Sequence, residues 1–223
     1  MGLIHSPSVV SNGLINYVDA ANSRSYAGTG ITAFDAINNT ALSMIGGIGY
    51  SSAKLGAFVF DNTGRYIILP TIDTNESSTF SFWNRRNATG AIQNLLHGID
   101  SSGQNYFQIR YDSSNYVQLV KSGIFNIGSF TNYTVPANTD IYLTLVYSKP
   151  AALYYLYING VYQGSVNYSS VTFVTTRPVI GSGYVVTENL NGLIYSFSYY
   201  NRVLTGAEIL QNYNASKGRF GLS

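Results

Sequence analysis

The chain has 223 residues and no cysteine, which removes disulfide frameworks, thiolate zinc sites and cysteine nucleophiles together. Twelve Lys and Arg stand against ten Asp and Glu, a net charge of +2 that supplies no electrostatic footprint for DNA or RNA. Charged residues are only 10% of the chain while Ser, Thr and Asn number 65 and Tyr 20, a composition that suits short strands and tight turns rather than long helices.

No window approaches the ~18 continuous apolar residues of a membrane-spanning helix. The first residues carry neither a basic region nor an apolar stretch, so a cleaved signal peptide is not expected and synthesis in a cytoplasm is. No composition break or linker divides the sequence. Residues 1–12, with Pro7 and no strand pattern, read as an arm able to dock on a neighbouring subunit, and residues 13–223 as one domain.

Along the domain, residues 14–18 open as a strand, and 22–50 read as irregular connections with short pairings. Strands then follow at 56–60, 65–69, 79–84, 92–99, 105–111, 116–121, 141–147, 153–158, 161–166, 179–182 and 192–200. Regular spacing with turn signals between runs predicts a sandwich or barrel. Asn159-Gly160 between two apolar runs predicts a two-residue hairpin, because a type I′ turn needs positive φ at both positions. Thr205 and Glu208 form a capping box ahead of Ile209, Leu210 and Tyr213, so one short helix is expected at about residues 206–214.

Five segments carry a resemblance: Gly13 to Asn22 with Ser25-Tyr26, Phe58-Val59-Phe60-Asp61, Thr79 to Trp83, Leu156 to Gly160, and Leu190 to Asn212 with its Tyr200-Asn201-Arg202-Val203-Leu204-Thr205 run. In this order they resemble the laminin-G-like domains of the concanavalin A-like lectin/glucanase superfamily, in the version common in tailed-phage particle proteins. The resemblance implies an all-β jelly roll of two antiparallel sheets. It leaves function open, since this fold hosts lectins, hydrolases, lyases and scaffolds.

The chemistry is therefore weighed residue by residue. Glycoside hydrolysis needs two carboxyl groups flanking the bond. The three glutamates, Glu76, Glu188 and Glu208, have no acidic residue within two positions, and Glu208 belongs to the cap. No catalytic residue is expected. His97, beside Gly98 and Asp100, reads as a structural strand-end histidine, and two histidines without a thiolate make no conventional zinc site. Calcium in this family is thought to sit at loop carboxylates, and Asp61 is the weak candidate. Arg65 follows where the resemblance implies a second acid, and a cation there opposes a divalent ion. Asp61 is read as a turn residue, and no metal or other cofactor is expected. Sugar sites combine aromatic platforms with polar side chains, which makes Trp83, Arg85 and Tyr155 the weak ligand candidates. The structural reading puts Trp83 in the core or under a loop and Arg85-Arg86 at a solvated strand end.

The expected function is that of a non-enzymatic structural or decoration protein of a tailed-phage particle, located in the virion and packed on other particle proteins or in a homo-oligomer. The alternative is an adhesin or carbohydrate-binding module for host-surface glycans. Nucleic acid and membrane are not expected partners.

Overall fold

The computed structural model describes residues 7–100, 106–121, 124–167, 174–175, 177–183 and 188–222. The strands in chain order are β1 (Leu14–Asp19), β2 (Thr32–Phe34), β3 (Ala41–Ile45), β4 (Gly49–Ser51), β5 (Ala57–Asp61), β6 (Tyr66–Ile68), β7 (Ile72–Asp73), β8 (Ser78–Arg86) and β9 (Gln93–Ile99). They continue as β10 (Tyr106–Tyr111), β11 (Tyr116–Lys121), β12 (Ile124–Thr134), β13 (Ile141–Ser148), β14 (Leu153–Ile158), β15 (Val161–Asn167), β16 (Val174–Thr175), β17 (Val179–Ile180) and β18 (Asn191–Tyr200). One helix, α1 (Gly206–Ser216), follows.

Two antiparallel sheets face each other. The back sheet runs β15-β14-β13-β8-β18-β5-β4, with β1 also paired to β18; the front sheet runs β12-β11-β10-β9-β17-β6-β3-β2. Alternate residues of each strand point inward, as period-2 geometry requires. Phe80 and Phe82 of β8 meet Tyr199 and Phe197 of β18 at 5.2 and 5.0 Å, and Phe80 reaches Phe107 of the front sheet at 6.0 Å. Around them Ile67, Leu96, Ile109, Leu119, Leu143, Leu145 and Leu156 close a single core. The sandwich architecture expected from the strand spacing is what forms.

Local chemistry explains the two landmarks. Asn159 and Gly160 take φ of 53° and 79°, the positive pair that a type I′ turn demands. At α1 the Thr205 hydroxyl accepts from Glu208 N–H at 3.2 Å while the Glu208 carboxylate accepts from Thr205 N–H at 2.8 Å. Arg202 grips the same carboxylate with two guanidinium nitrogens at 2.6 and 3.0 Å, and this pairing holds the Glu208 acid down to about 2. The helix runs two residues beyond the expected end.

The short pairings expected within 22–50 form as β2, β3 and the start of β4. The eleven-residue strand β12 was not expected, since Asn126, Gly128 and Asn132 interrupt its apolar pattern. Pairing to β11 overrides that weak local preference.

The outer face of the back sheet is also buried. Trp83, with Tyr142, Tyr195, Ala57 and Leu193, lies beneath Phe220, whose ring stacks on Trp83 at 3.8 Å and 14°. The Trp83 Nε1–H donates to Ser216 Oγ at 2.7 Å, so the indole is only 2% exposed. Farther along, Ile209 and Leu204 pack on Tyr200 and Val146. The described part of the N-terminal arm joins this layer. Val10 N–H donates to Asn212 Oδ1 at 2.8 Å, Tyr200 Oη donates to the Val10 carbonyl at 3.0 Å, and Arg202 Nε donates to the Asn12 carbonyl at 2.9 Å. Residues 8–12 are thus fastened to their own chain; residues 1–6 lie outside the described residues.

Replacing Trp83 by Ala removes the stacked indole under Phe220 and is expected to cost about 3–5 kcal/mol, read as a lowered midpoint in urea unfolding. Thr205→Ala, which removes only the cap, is expected to cost about 1 kcal/mol in the same experiment.

Candidate functional site

The outer face of the front sheet carries a set of polar side chains beside a cleft. On β10, Gln108 and Arg110 share that face because they are two residues apart. Arg110 stands opposite Asn94 of β9 and Gln118 of β11, and Gln118 stands opposite Ser129 of β12. A polar strip therefore crosses four strands at one level.

Its hydrogen bonds are continuous. Arg110 donates through Nε to Gln118 Oε1 at 2.7 Å and through Nη1 to Gln108 Oε1 at 3.0 Å. The same Nη1 pairs with Glu188 Oε1 at 3.3 Å, and Asn94 Nδ2 donates to Glu188 Oε2 at 3.2 Å. Gln118 Nε2 donates to Ser129 Oγ, which donates to Asp112 Oδ2, each at 3.1 Å. The Arg110 and Glu188 side chains keep 14% and 21% exposure, so the network is fixed yet reachable from one side.

Beside the strip lies a cleft of about 370 Å³, walled by Tyr66, His97, Ile99 and Val179, with Arg177 and Gly183 at its margin. His97 stands opposite Gln108 on one side and Val179 on the other, which joins the cleft floor to the strip. Gly183 makes the join tight: a Cβ there would lie 2.6 Å from Asn94 Nδ2 and 3.1 Å from the Glu188 Cβ. A cleft of mainly apolar wall with a few placed polar groups, in the ~300–1,000 Å³ range, is the usual form of a small-ligand site.

His97 is 3% exposed, and burial, with the nearby Arg110 charge as a second cause, pushes its imidazole down to about 4. It is neutral at physiological pH and acts as a fixed polar wall. The ring of Tyr106 meets it edge-on at 5.9 Å.

The residues singled out in the sequence fall elsewhere. Trp83 is sealed under Phe220, and Arg85 follows it on the outer face of β8, half-buried, with Nε donating to Asn87 Oδ1 at 3.3 Å. Tyr155 is half-buried on β14, packed against the Tyr200 and Ile209 cluster and 6.4 Å from Tyr162. All three belong to the back sheet. Asp61 is bound by Arg65 Nη2 at 2.8 Å and accepts from Thr63 Oγ1 at 2.5 Å, in the turn that brings Gly64 to the cleft. Asp112 accepts from Tyr116 N–H at 2.9 Å in the turn between β10 and β11. Arg86 departs from the solvated strand end expected of it. It is 1% exposed, donates to the Val135 and Pro136 carbonyls, and lies over the Tyr111 ring at 5.1 Å. Its inward position on β8 decides this.

Sequence reading missed Arg110, Glu188, Gln108 and Gln118. The signal was present as polar alternation in Tyr106-Phe107-Gln108-Ile109-Arg110 and Tyr116-Val117-Gln118. Glu188 could not be added from sequence, because 78 residues separate it from Arg110.

The fold, an all-β sandwich with one short C-terminal helix, defines a lectin- and laminin-G-like class. The family model described as the concanavalin A-like lectin/glucanases superfamily matches residues 61–210, and the chain belongs to that family. No curated protein matches the chain by sequence. Among solved structures, domain 4 of an extracellular GH43 arabinanase from Geobacillus stearothermophilus, in complex with arabinotriose, is similar at TM-score 0.71 and 16% identity, covering 90% of this chain and 98% of that one. The sialidase of Trypanosoma rangeli in complex with sialic acid is similar at TM-score 0.71 and 14% identity, over 95% of this chain. This chain spans 34% of that protein, about a third of its length. The binding domain of Paraclostridial Mosquitocidal Protein 1 matches at TM-score 0.67 and 17% identity, covering 91% of this chain and 52% of that one. At these identities the likeness is one of fold.

The His97 shift sets a pH dependence. Its folded value lies below the ordinary 6.5, so the unfolded chain binds more protons between the two. Stability is therefore full above about pH 6.5 and falls as the pH drops towards 4, by about 3 kcal/mol from this group. His97→Gln is expected to flatten that limb in urea unfolding measured from pH 4 to 7.

Proposed function

We propose that this chain is a non-enzymatic glycan-recognition module whose ligand lies on the outer face of the front sheet, in the His97 cleft and along the Arg110 strip. The observation that carries the reading is the strip itself: amide, guanidinium and carboxylate groups held at fixed spacing beside an apolar-walled cleft. Sugars present hydroxyls and C–H faces together, and that pairing of surfaces suits both. The family membership and an arabinanase domain of the same fold, solved with arabinotriose, support it.

Binding is favoured over cleavage by how the acids are used. Glu188 is occupied by Arg110 and Asn94, and Asp112 by Tyr116 N–H and Ser129. A glycosidase pair needs one protonatable acid and one free carboxylate across the bond. The tailed-phage resemblance supplies the setting: an adhesin on a virion, made in a host cytoplasm, that meets envelope glycans.

A second reading, packing against other particle proteins or further copies of the chain, is favoured by the opposite face. There Val161, Tyr162 and Leu210 are exposed beside the β14–β15 hairpin, and a Cβ at Gly160 would touch Leu210 at 2.9 Å.

A glycan array with purified protein tests the first reading. Saturable binding is expected, unchanged by chelator, and Tyr66→Ala is expected to weaken it about tenfold with the melting temperature retained. Gly183→Val, which forces Asn94 and Glu188 apart, is expected to abolish it. Failure of well-folded protein to bind any glycan, together with a self-associated state lost in Tyr162→Ser, would instead favour the packing role.

A further inference from the structure

The cleft is electrically one-sided, and this names a ligand class for the glycan reading on which the inference rests. Arg65 at the turn before Tyr66 is neutralised by Asp61 at 2.8 Å, and Arg110 in the strip by Glu188 at 3.3 Å. His97 is neutral. Arg177, exposed at the cleft margin, forms no ion pair among the described residues. All ten acidic side chains of the protein lie within those residues, and none pairs with it. Arg177 is therefore the unneutralised charge of the cleft lining described here.

Its position is prepared by the chain. Arg177 precedes Pro178, which confines it to extended backbone, and the Pro178 carbonyl accepts from Leu69 N–H at 2.8 Å. The guanidinium is thereby carried on a pinned segment that leads directly into β17. A planar guanidinium offers two parallel N–H donors, matched in spacing to the two oxygens of a carboxylate. The cleft that it lines has apolar walls in Tyr66, Ile99 and Val179.

We propose that the cleft selects an acidic sugar, with the carboxylate of a uronic or nonulosonic acid held by Arg177 and the ring lying against Tyr66 and Val179. Neutral sugars of the same ring size lack the partner that this cation calls for. Arg177 is the specificity-determining residue; the Arg110 strip holds hydroxyls common to both classes.

Titration calorimetry tests this with the intact protein and three carboxylated oligosaccharides, ending in galacturonic, glucuronic or N-acetylneuraminic acid. Each is paired with its carboxyl-reduced counterpart. At least one acidic member is expected to bind about tenfold or more tightly than its reduced form, with affinity falling as salt rises. Arg177→Gln, at an exposed position, is expected to erase that difference while leaving the melting temperature unchanged. Equal affinity for acidic and reduced forms, or a preference that survives Arg177→Gln, would overturn the assignment of Arg177. Binding confined to neutral glycans would overturn the acidic-sugar class while leaving glycan recognition standing. Absence of binding to acidic and neutral glycans alike would remove both.

Discussion

The stack of Phe220 on Trp83 is the contact from which the rest of this molecule's organisation follows. A sheet in a sandwich has one face in the core and one towards water, and an indole on the second face is a liability unless it is covered. Here the last turns of the chain provide the cover, with Phe220 at 3.8 Å and Ser216 taking the indole N–H. Once α1 is committed to that face, Ile209, Leu204 and the strapped residues 8–12 seal the neighbouring ground. Residues 8–12 and 206–222 are thereby committed to the back sheet, while the cleft and the strip lie on the outer face of the front sheet.

The strip also shows how a nearly uncharged protein uses its few charges. Partly buried ions are costly unless every donor and acceptor is met, and a guanidinium has five N–H groups to satisfy. Arg110 donates through Nε and Nη1 to Gln118, Gln108 and Glu188, drawn from two strands and one loop. The same device recurs at Arg219, which pairs with Asp19 at 2.7 Å behind the back sheet, and at Arg202 with Glu208. Arg177, at the margin of a ligand-sized cleft, has no such carboxylate partner among the described residues.

On the proposed reading, such a surface serves recognition rather than turnover. A fold of this family offers a flat, strand-built platform whose spacing is set by interstrand hydrogen bonds, which suits ligands read by fixed donors and acceptors. Catalysis would ask in addition for acids freed from their partners, and the two carboxylates of the strip are both engaged. The same platform on other proteins carries different tasks, so the residues on it, not the fold, argue the function.

Much of the architecture was legible in the amino-acid sequence because it depends on short-range chemistry. The Asn159-Gly160 hairpin and the Thr205–Glu208 cap are each specified within six residues, and the alternation Phe80-Ser81-Phe82-Trp83 alone separates the core face from the outer one. β12 was hidden because its Asn and Gly positions are unfavourable locally and are redeemed only by pairing with β11. Trp83 had two readings in sequence, platform or packing. The choice belongs to Phe220, 137 positions away, whose approach no local pattern announces. The site is the extreme case. Its polar alternation on β10 and β11 can be read, but Glu188, Arg177 and His97 come from segments that only strand order brings together. The sequence by itself determined which residues turn, pair and face inward, since those are properties of neighbours along the chain. Tertiary structure decided which outer face stays open and which charges go unpaired, since both depend on what distant segments cover and neutralise.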